Sequence, residues 1–120
     1  MTKQELKKQF EKDIKRAVLA LKKYNPDKII LYGSVARGDF DENSDIDLLV
    51  IKKGVDKIKP HKRIYKALQL LDDCTTCEPR VYSPREVKNM IKWNAWFLIE
   101  ALEQGRVLYE KNQSFGRTMV

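Results

Sequence analysis

The segment from Leu31 to Val50 reads LYGSVARGDFDENSDIDLLV and places a Gly-Ser turn and an Asp-x-Asp pair between two apolar runs. The run that ends at Tyr32 is short and rich in branched residues, which is typical of a buried strand. A second apolar run, from Asp45 to Ile51, follows a polar loop and predicts another strand. The segment therefore predicts two strands that meet at a glycine turn.

The turn itself has the composition of an anion-binding bend. Gly33 lets the backbone turn without steric penalty and approach a ligand closely, and Ser34 offers both its N–H and its hydroxyl. A short helix that begins at Ser34 would add free N–H groups and the positive end of a helix dipole. We therefore expect the phosphates of a nucleotide to bind at this bend.

The acidic pair lies at the start of the second strand. Side chains two residues apart on a strand share a face, so Asp45 and Asp47 point the same way with Cα atoms roughly 6–7 Å apart. Two carboxylates this close repel each other, and a hard divalent cation such as Mg²⁺ relieves the repulsion. Two metal ions roughly 3.5–4 Å apart could share these carboxylates and activate a hydroxyl for attack on phosphorus.

The spacing of these residues resembles a known signature. Gly33-Ser34, ten intervening residues and then Asp45-Ile46-Asp47 resemble the motif of the DNA polymerase β-type nucleotidyltransferase superfamily. The short length is similar to that of the minimal nucleotidyltransferases, which are commonly the antitoxins of HEPN-domain toxins. The segment from Leu98 to Tyr109 also resembles the last helix and strand of the family.

The resemblance implies a third carboxylate on a later strand, and Glu78 lies where the family places this acid, five residues before Ser83. By resemblance, Asp45 and Asp47 would bind both metal ions, and Glu78 would complete the site and help to deprotonate the attacking hydroxyl. The family more often has Asp at this position. Pro79 removes a backbone donor, which restricts this strand to a sheet edge or a bulge.

The resemblance further implies a Mg²⁺-dependent transfer of AMP from ATP onto a tyrosine of a HEPN-domain protein encoded by the adjacent gene. Two alternatives remain open on the sequence. One is transfer to a small molecule of the aminoglycoside type, and the other is an antitoxin that binds its toxin without catalysis.

Two further residues flank the predicted site. Arg37 could contact phosphate oxygens or could pair with Asp41 and brace the loop. Ser44 could assist the nucleotide, although capping of the loop is the role that its type and position favour. Both are kept as candidate nucleotide-binding residues, together with Gly33 and Ser34.

Composition sets limits on size, compartment and partners. The 120 residues suffice for one domain, predicted over 1–110 with a polar tail over 111–120. The 24 Lys and Arg exceed the 17 Asp and Glu, which attracts polyanions, but their positions between apolar residues favour a solvated helix face over a nucleic-acid partner. A membrane span and a secretory leader are not evident in the sequence, so we expect a cytoplasmic protein.

The whole pattern predicts an α/β (α+β) fold in the order α, β, short α, β, α, β, α and a short final β. We expect a mixed sheet with helices mainly on one face. The last helix, predicted from Ser83 to about Gln104, is apolar on more than one side, which fits either core packing or an interface with another chain. Cys74 and Cys77 are predicted to be reduced thiols.

Overall fold

A computed structural model describes residues 1–111 as a four-stranded mixed sheet that carries helices. The predicted fold class is therefore confirmed. Of the tail predicted over 111–120, only Lys111 is among the described residues. In chain order the elements are α1 (Lys3–Leu21), a 3-10 turn (Lys22–Tyr24), β1 (Lys28–Tyr32), α2 (Gly33–Arg37), β2 (Ile46–Ile51), α3 (Pro60–Leu70), β3 (Cys77–Tyr82), α4 (Pro84–Lys92), α5 (Trp96–Gln104) and β4 (Arg106–Glu110).

The strand order across the sheet is β3-β2-β1-β4. β1 runs antiparallel to both β2 and β4, whereas β2 and β3 are parallel. A parallel neighbour requires a crossover, and α3 supplies it between β2 and β3. As a result, the end of β1 and the starts of β2 and β3 lie at the same end of the sheet.

Local capping signals place the helix boundaries. Thr2 and Glu5 form a reciprocal capping box at the start of α1, and Ser83 and Glu86 form another at the start of α4. After α1 the chain turns at Asn25, which adopts a left-handed conformation with φ of 58°. Within residues 1–111, no helix is both long and apolar enough to cross a membrane.

The sheet buries apolar side chains on both of its faces. The larger cluster joins α1 and α3 to one face and includes Phe10, Ile14, Leu48 and Ala67. The smaller cluster joins α4 and α5 to the other face through side chains such as Ile30, Leu49, Val87, Leu98 and Ala101. The expectation of helices mainly on one face is corrected accordingly, because alternate residues of β1 and β2 are apolar toward both sides.

The predicted last helix is two helices. α4 ends at Lys92, and Asn94 then takes a left-handed conformation with φ of 59° before α5 begins at Trp96. Asparagine tolerates this conformation because its short polar side chain bonds locally. The break allows α5 to turn back over β1 and to close the smaller apolar cluster.

The two cysteines are joined in a disulfide, which corrects the prediction of reduced thiols. The turn after α3 brings the Cα atoms of Cys74 and Cys77 to 5.7 Å, a separation that a disulfide requires. The bridge closes the turn immediately before β3.

A buried ion pair fastens α3 to the start of α4. The Arg63 side chain is 2% exposed and donates to both carboxylate oxygens of Glu86, at 2.7 and 2.9 Å. It also donates to the carbonyl oxygens of Ile58 at 2.7 Å and Val81 at 3.1 Å. Because one guanidinium bonds the loop after β2, the strand β3 and the helix α4, it fixes their relative positions.

We expect Glu86→Gln to lower the free energy of unfolding by about 3 kcal/mol, because it leaves a buried guanidinium without its counter-charge. The hydrogen bonds of Arg63 lower the pKa of Glu86. This stabilisation is therefore present above the unfolded carboxyl pKa of about 4.3 and is lost as the pH falls through the lower folded-state pKa. Urea unfolding at pH 7 and at pH 3 measures the difference, with Glu103→Gln on exposed α5 surface as the control. Equal stability of the two variants at pH 7 would contradict the prediction.

Candidate active site

Three carboxylates lie at the sheet end where β1 stops and where β2 and β3 start. Asp47 is paired in register with Tyr32 of β1 on one side and with Glu78 of β3 on the other. Asp45 immediately precedes β2, whose first N–H, at Ile46, donates to Thr76 O at 2.8 Å. We call Asp45, Asp47 and Glu78 the acid row. Asp45 and Glu78 are exposed, and Asp47 is half-buried between them, so the row faces solvent.

The glycine bend is in direct contact with the acid row. Gly33 has φ of +80°, and a Cβ atom added to it would overlap Oδ2 of Asp47. Glycine is therefore required twice, once for the backbone conformation and once for the space beside the carboxylate. α2 begins at Gly33 itself, and Ser34 is half-buried in its first turn. The structure thus brings the predicted bend and the predicted acids together.

Burial and charge repulsion both raise the pKa of the central acid of the row, Asp47. Desolvation, followed by the nearby charges of Glu78 and Asp45, raises the pKa of Asp47 to about 6, and only Arg80 acts in the opposite direction. A carboxyl group shifted upward by like charges gains most from a bound cation. The direction of the shift is the one expected for an oxygen-rich cation site.

The donor set fits a magnesium ion that shares its coordination with a substrate. Within residues 1–111, no three His, Cys, Asp or Glu side chains are gathered closely enough to hold a metal ion by themselves. Mg²⁺ usually binds through one or two carboxylates together with waters and substrate phosphates, and therefore does not need a closed protein cage. The half-buried Asp47, with an acid on each side, provides such an incomplete site.

The two flanking candidates have protein partners. Arg37 donates to Glu100 at 3.1 Å and to Asp39 at 3.4 Å, so its loop-bracing partner is not the predicted Asp41. Ser44 Oγ accepts from the Asp41 N–H at 2.9 Å and therefore caps the loop, the role that the sequence favours. Their contact with a nucleotide stays a prediction.

Four residues on the face of the sheet that carries the acid row are not identified by the sequence analysis. Arg80 lies two residues after Glu78 on the same face of β3, and its guanidinium stacks on the ring of Phe97, 4.8 Å from the centroid. Tyr82 packs against the same ring with centroids 6.2 Å apart. Tyr32, the partner of Asp47 in the sheet, is partly buried, and this burial raises the pKa of its hydroxyl. The alternation of β3 could have identified Arg80 and Tyr82, whereas Phe97 comes from a distant helix.

Comparison with protein families and curated proteins gives consistent matches. The family model "Polymerase beta, Nucleotidyltransferase" matches residues 5–114. A relative from Methanocaldococcus jannaschii, "Putative protein adenylyltransferase MJ0604", is 41% identical over 103 residues, which cover 82% of this chain and 97% of the relative. A second relative from that organism, "Putative protein adenylyltransferase MJ0141", is 42% identical over 62 residues. That match covers 52% of this chain and spans only 59% of the relative.

Two crystal structures share the fold. One is described as a "putative nucleotidyltransferase from Sulfolobus solfataricus" and superposes with a TM-score of 0.66 at 16% identity, covering 94% of this chain and 92% of that one. The other is described as "the toxin-antitoxin with AMP-PNP" and has a TM-score of 0.53 at 21% identity, covering 87% and 78% of the respective chains. At these identities the two structures support the architecture alone.

We expect Gly33→Ala to weaken binding of Mg²⁺-ATP by about tenfold or more, because the new methyl group displaces the Asp47 carboxylate. Gly54→Ala is the matched control, since Gly54 also has a positive φ, of +86°, but nothing lies within 4 Å of the position that its Cβ would occupy. Each substitution should cost about 1 kcal/mol of stability through backbone strain. Calorimetric titration with Mg²⁺-ATP tests the difference, and equal affinities in the two variants would show that the space beside Asp47 is not needed.

We expect Asp47→Asn to stabilise the metal-free protein by about 1 kcal/mol at pH 8, after allowance for solvent screening. Because the folded-state pKa of Asp47 is raised to about 6, ionisation of this carboxyl costs stability as the pH rises above its unfolded pKa of about 4. The advantage of the variant should thus disappear below pH 4. Thermal unfolding in EDTA across this range measures it, and Asp72→Asn, on an exposed turn, is the control. A variant no more stable than the unsubstituted chain at pH 8 would refute the repulsion.

Proposed function

This chain belongs to the polymerase beta nucleotidyltransferase family, and from that premise we propose that it is a Mg²⁺-dependent protein adenylyltransferase. In the proposed reaction it transfers AMP from ATP onto a tyrosine hydroxyl of a HEPN-domain toxin encoded by the adjacent gene. The modification silences the toxin, so the chain acts as an antitoxin. Nucleotidyl transfer is the activity of the family, whereas the acceptor and the partner are the finer parts of the proposal.

The observation that carries the proposal is the contact between Gly33 and the Asp47 carboxylate in the middle of the acid row. The bend that we propose for the phosphates and the acid that we propose for the cation are thus in van der Waals contact, and this closeness supports binding of a metal-bound triphosphate. Asp45 and Asp47 would hold two Mg²⁺ ions, with Glu78 completing the site. When bound, Mg²⁺ would neutralise the phosphate charge and lower the pKa of the attacking hydroxyl.

The residues of the chain then have separate tasks. The Gly33-Ser34 bend and the candidates Arg37 and Ser44 would hold the triphosphate and orient its α-phosphorus. The acceptor oxygen forms a bond to that phosphorus while the bond to the bridging oxygen breaks and pyrophosphate leaves. Glu78, exposed at the open side of the acid row, would accept the hydroxyl proton.

The choice of AMP and of a protein acceptor rests on the relatives. Both M. jannaschii proteins are named as protein adenylyltransferases, and the toxin-antitoxin structure with the same fold was obtained with AMP-PNP, a close analogue of ATP. The HEPN class of the partner rests on the resemblance of the motif to minimal nucleotidyltransferases. Since the substrates are ATP and a toxin of the same cell, we propose that the protein acts in the cytoplasm.

A partner of this kind needs a surface, and the break between α4 and α5 offers one. Trp93 and Trp96 are 82% and 78% exposed, which is unusual for the largest apolar side chains. Tryptophan is enriched in protein interfaces. We propose that the break between α4 and α5, with its two exposed tryptophans, contacts the partner. We also propose that residues 1–110 form one nucleotidyltransferase domain around the sheet.

Transfer is tested by incubating the chain with ATP labelled at the α-phosphate, Mg²⁺ and the HEPN-domain protein. We expect label on the HEPN protein, a loss of at least about 100-fold in Asp45→Asn and in Asp47→Asn, and no label when EDTA replaces Mg²⁺. Mass spectrometry should place the AMP on a tyrosine. Asp73→Asn, exposed after α3, is the charge-matched control and should retain full transfer.

The alternatives predict other outcomes of the same assay. Label on an added aminoglycoside in place of the protein would favour a small-molecule acceptor. Protection of cells from the toxin that survives both aspartate substitutions would favour an antitoxin that acts by binding alone, and either result would overturn the proposal.

A further inference from the structure

The order of the strands gives the acid row two distinguishable sides. The glycine bend is at the β1 side, Asp47 is central, and Glu78 is on β3, an edge strand of the sheet. In phosphoryl transfer the attacking and leaving oxygens lie roughly in line on opposite sides of the phosphorus. If the phosphates bind at the bend, the acceptor must therefore approach from the β3 side.

The β3 side carries a preformed surface of aromatic rings and one guanidinium. We call Arg80, Tyr82 and Phe97 the β3 shelf. Strand alternation puts Glu78, Arg80 and Tyr82 on one face of β3, so the shelf begins directly beside the third acid. Arg80 stacks on Phe97 at 4.8 Å, and the Tyr82 and Phe97 rings are 6.2 Å apart, so three side chains from β3 and α5 support one another.

The charge on the shelf acts on Asp47 through space but forms no close ion pair with an acid. Arg80 is exposed, and among the ion pairs of residues 1–111 none includes it. By contrast, Arg37, Arg63, Arg85 and Arg106 all pair with carboxylates. An exposed arginine that lies over an aromatic ring and is not paired with an acid can contact a further ring through its guanidinium.

We propose that the β3 shelf is the acceptor subsite, in which Arg80 receives an aromatic hydroxyl side chain of the partner protein and holds it beside Glu78. The proposal rests on the adenylyl transfer put forward above and names the residues that choose the acceptor. A tyrosine ring stacks on a guanidinium or on a neighbouring ring, whereas a serine or threonine hydroxyl offers no such surface. The exposed Trp96 directly precedes Phe97 in α5, so the same turn of helix carries a shelf residue and a residue of the proposed partner contact.

The test separates acceptor recognition from nucleotide binding. The HEPN-domain protein and ATP are varied independently, and transfer is followed with Arg80→Met, Arg80→Lys and Phe97→Leu. We expect Arg80→Met to raise the KM for the protein acceptor by about tenfold and to leave the KM for ATP within about twofold. Arg80→Lys should raise the KM for the protein acceptor almost as much, because an ammonium cannot stack as a plane. Phe97→Leu should raise the same KM.

Arg85→Met is the matched control, since Arg85 is 81% exposed and pairs at 3.7 Å with Asp56, which is not part of the acid row. N-acetyltyrosinamide and N-acetylserinamide serve as minimal acceptors, and the unsubstituted chain should prefer the tyrosine analogue whereas Arg80→Met should not. Circular dichroism verifies that each variant is folded. If Arg80→Met does not fold, Arg80→Lys and Phe97→Leu still test the subsite.

Two negative results are distinguishable. No transfer by the unsubstituted chain to any acceptor would refute the proposed function and the subsite with it. Normal transfer by the unsubstituted chain, together with an unchanged acceptor KM or a raised KM for ATP in Arg80→Met, would refute the subsite alone and would leave the reaction in place.

Discussion

The buried ion pair between Arg63 and Glu86 is the contact on which the position of β3 depends. A guanidinium that is 2% exposed is tolerated only when its donors are satisfied, and this one bonds a carboxylate, the Val81 carbonyl and the Ile58 carbonyl. Ser83 extends the network by donating to Asp56 at 2.6 Å. Within the described chain no buried side-chain polar atom is left without a partner. The network therefore fixes the first turn of α3, which crosses between the two parallel strands, to the end of β3 that is opposite the acid row.

That anchoring matters because the other end of the same strands is electrostatically unfavourable. The register of β2 and β3 places Asp47 and Glu78 side by side, and their repulsion contributes to the raised pKa of Asp47. A sheet selected for stability alone would not align two acids in this way. The apolar clusters on both faces of the sheet and the Arg63 network offset the cost, so the sheet tolerates the aligned acids.

Much of this arrangement is predictable from local sequence, and the reasons differ by element. The bend and the central acid follow from strand alternation and from glycine at position 33, whose φ and clearance no other residue supplies. The split of the last helix depends on Asn94, a single residue within an otherwise continuous apolar pattern, so periodicity alone does not reveal it. The pairs Arg63–Glu86 and Arg37–Glu100 join residues 23 and 63 positions apart, and no local rule selects such partners. The disulfide is not predicted because an expected reducing compartment outweighs the short spacing of the cysteines.

The position of Pro79 connects the edge strand to the use of the site. Proline cannot donate to a strand ladder, and the sequence therefore restricts β3 to an edge or a bulge, which the strand order bears out. An edge strand invites pairing by another chain, and proline on it opposes such pairing. Because Pro79 lies between Glu78 and Arg80, it protects the segment of edge that carries the third acid and the shelf. A strand that is not extended by a neighbour keeps its outer edge free, and this is the side from which the acceptor approaches in the proposed reaction.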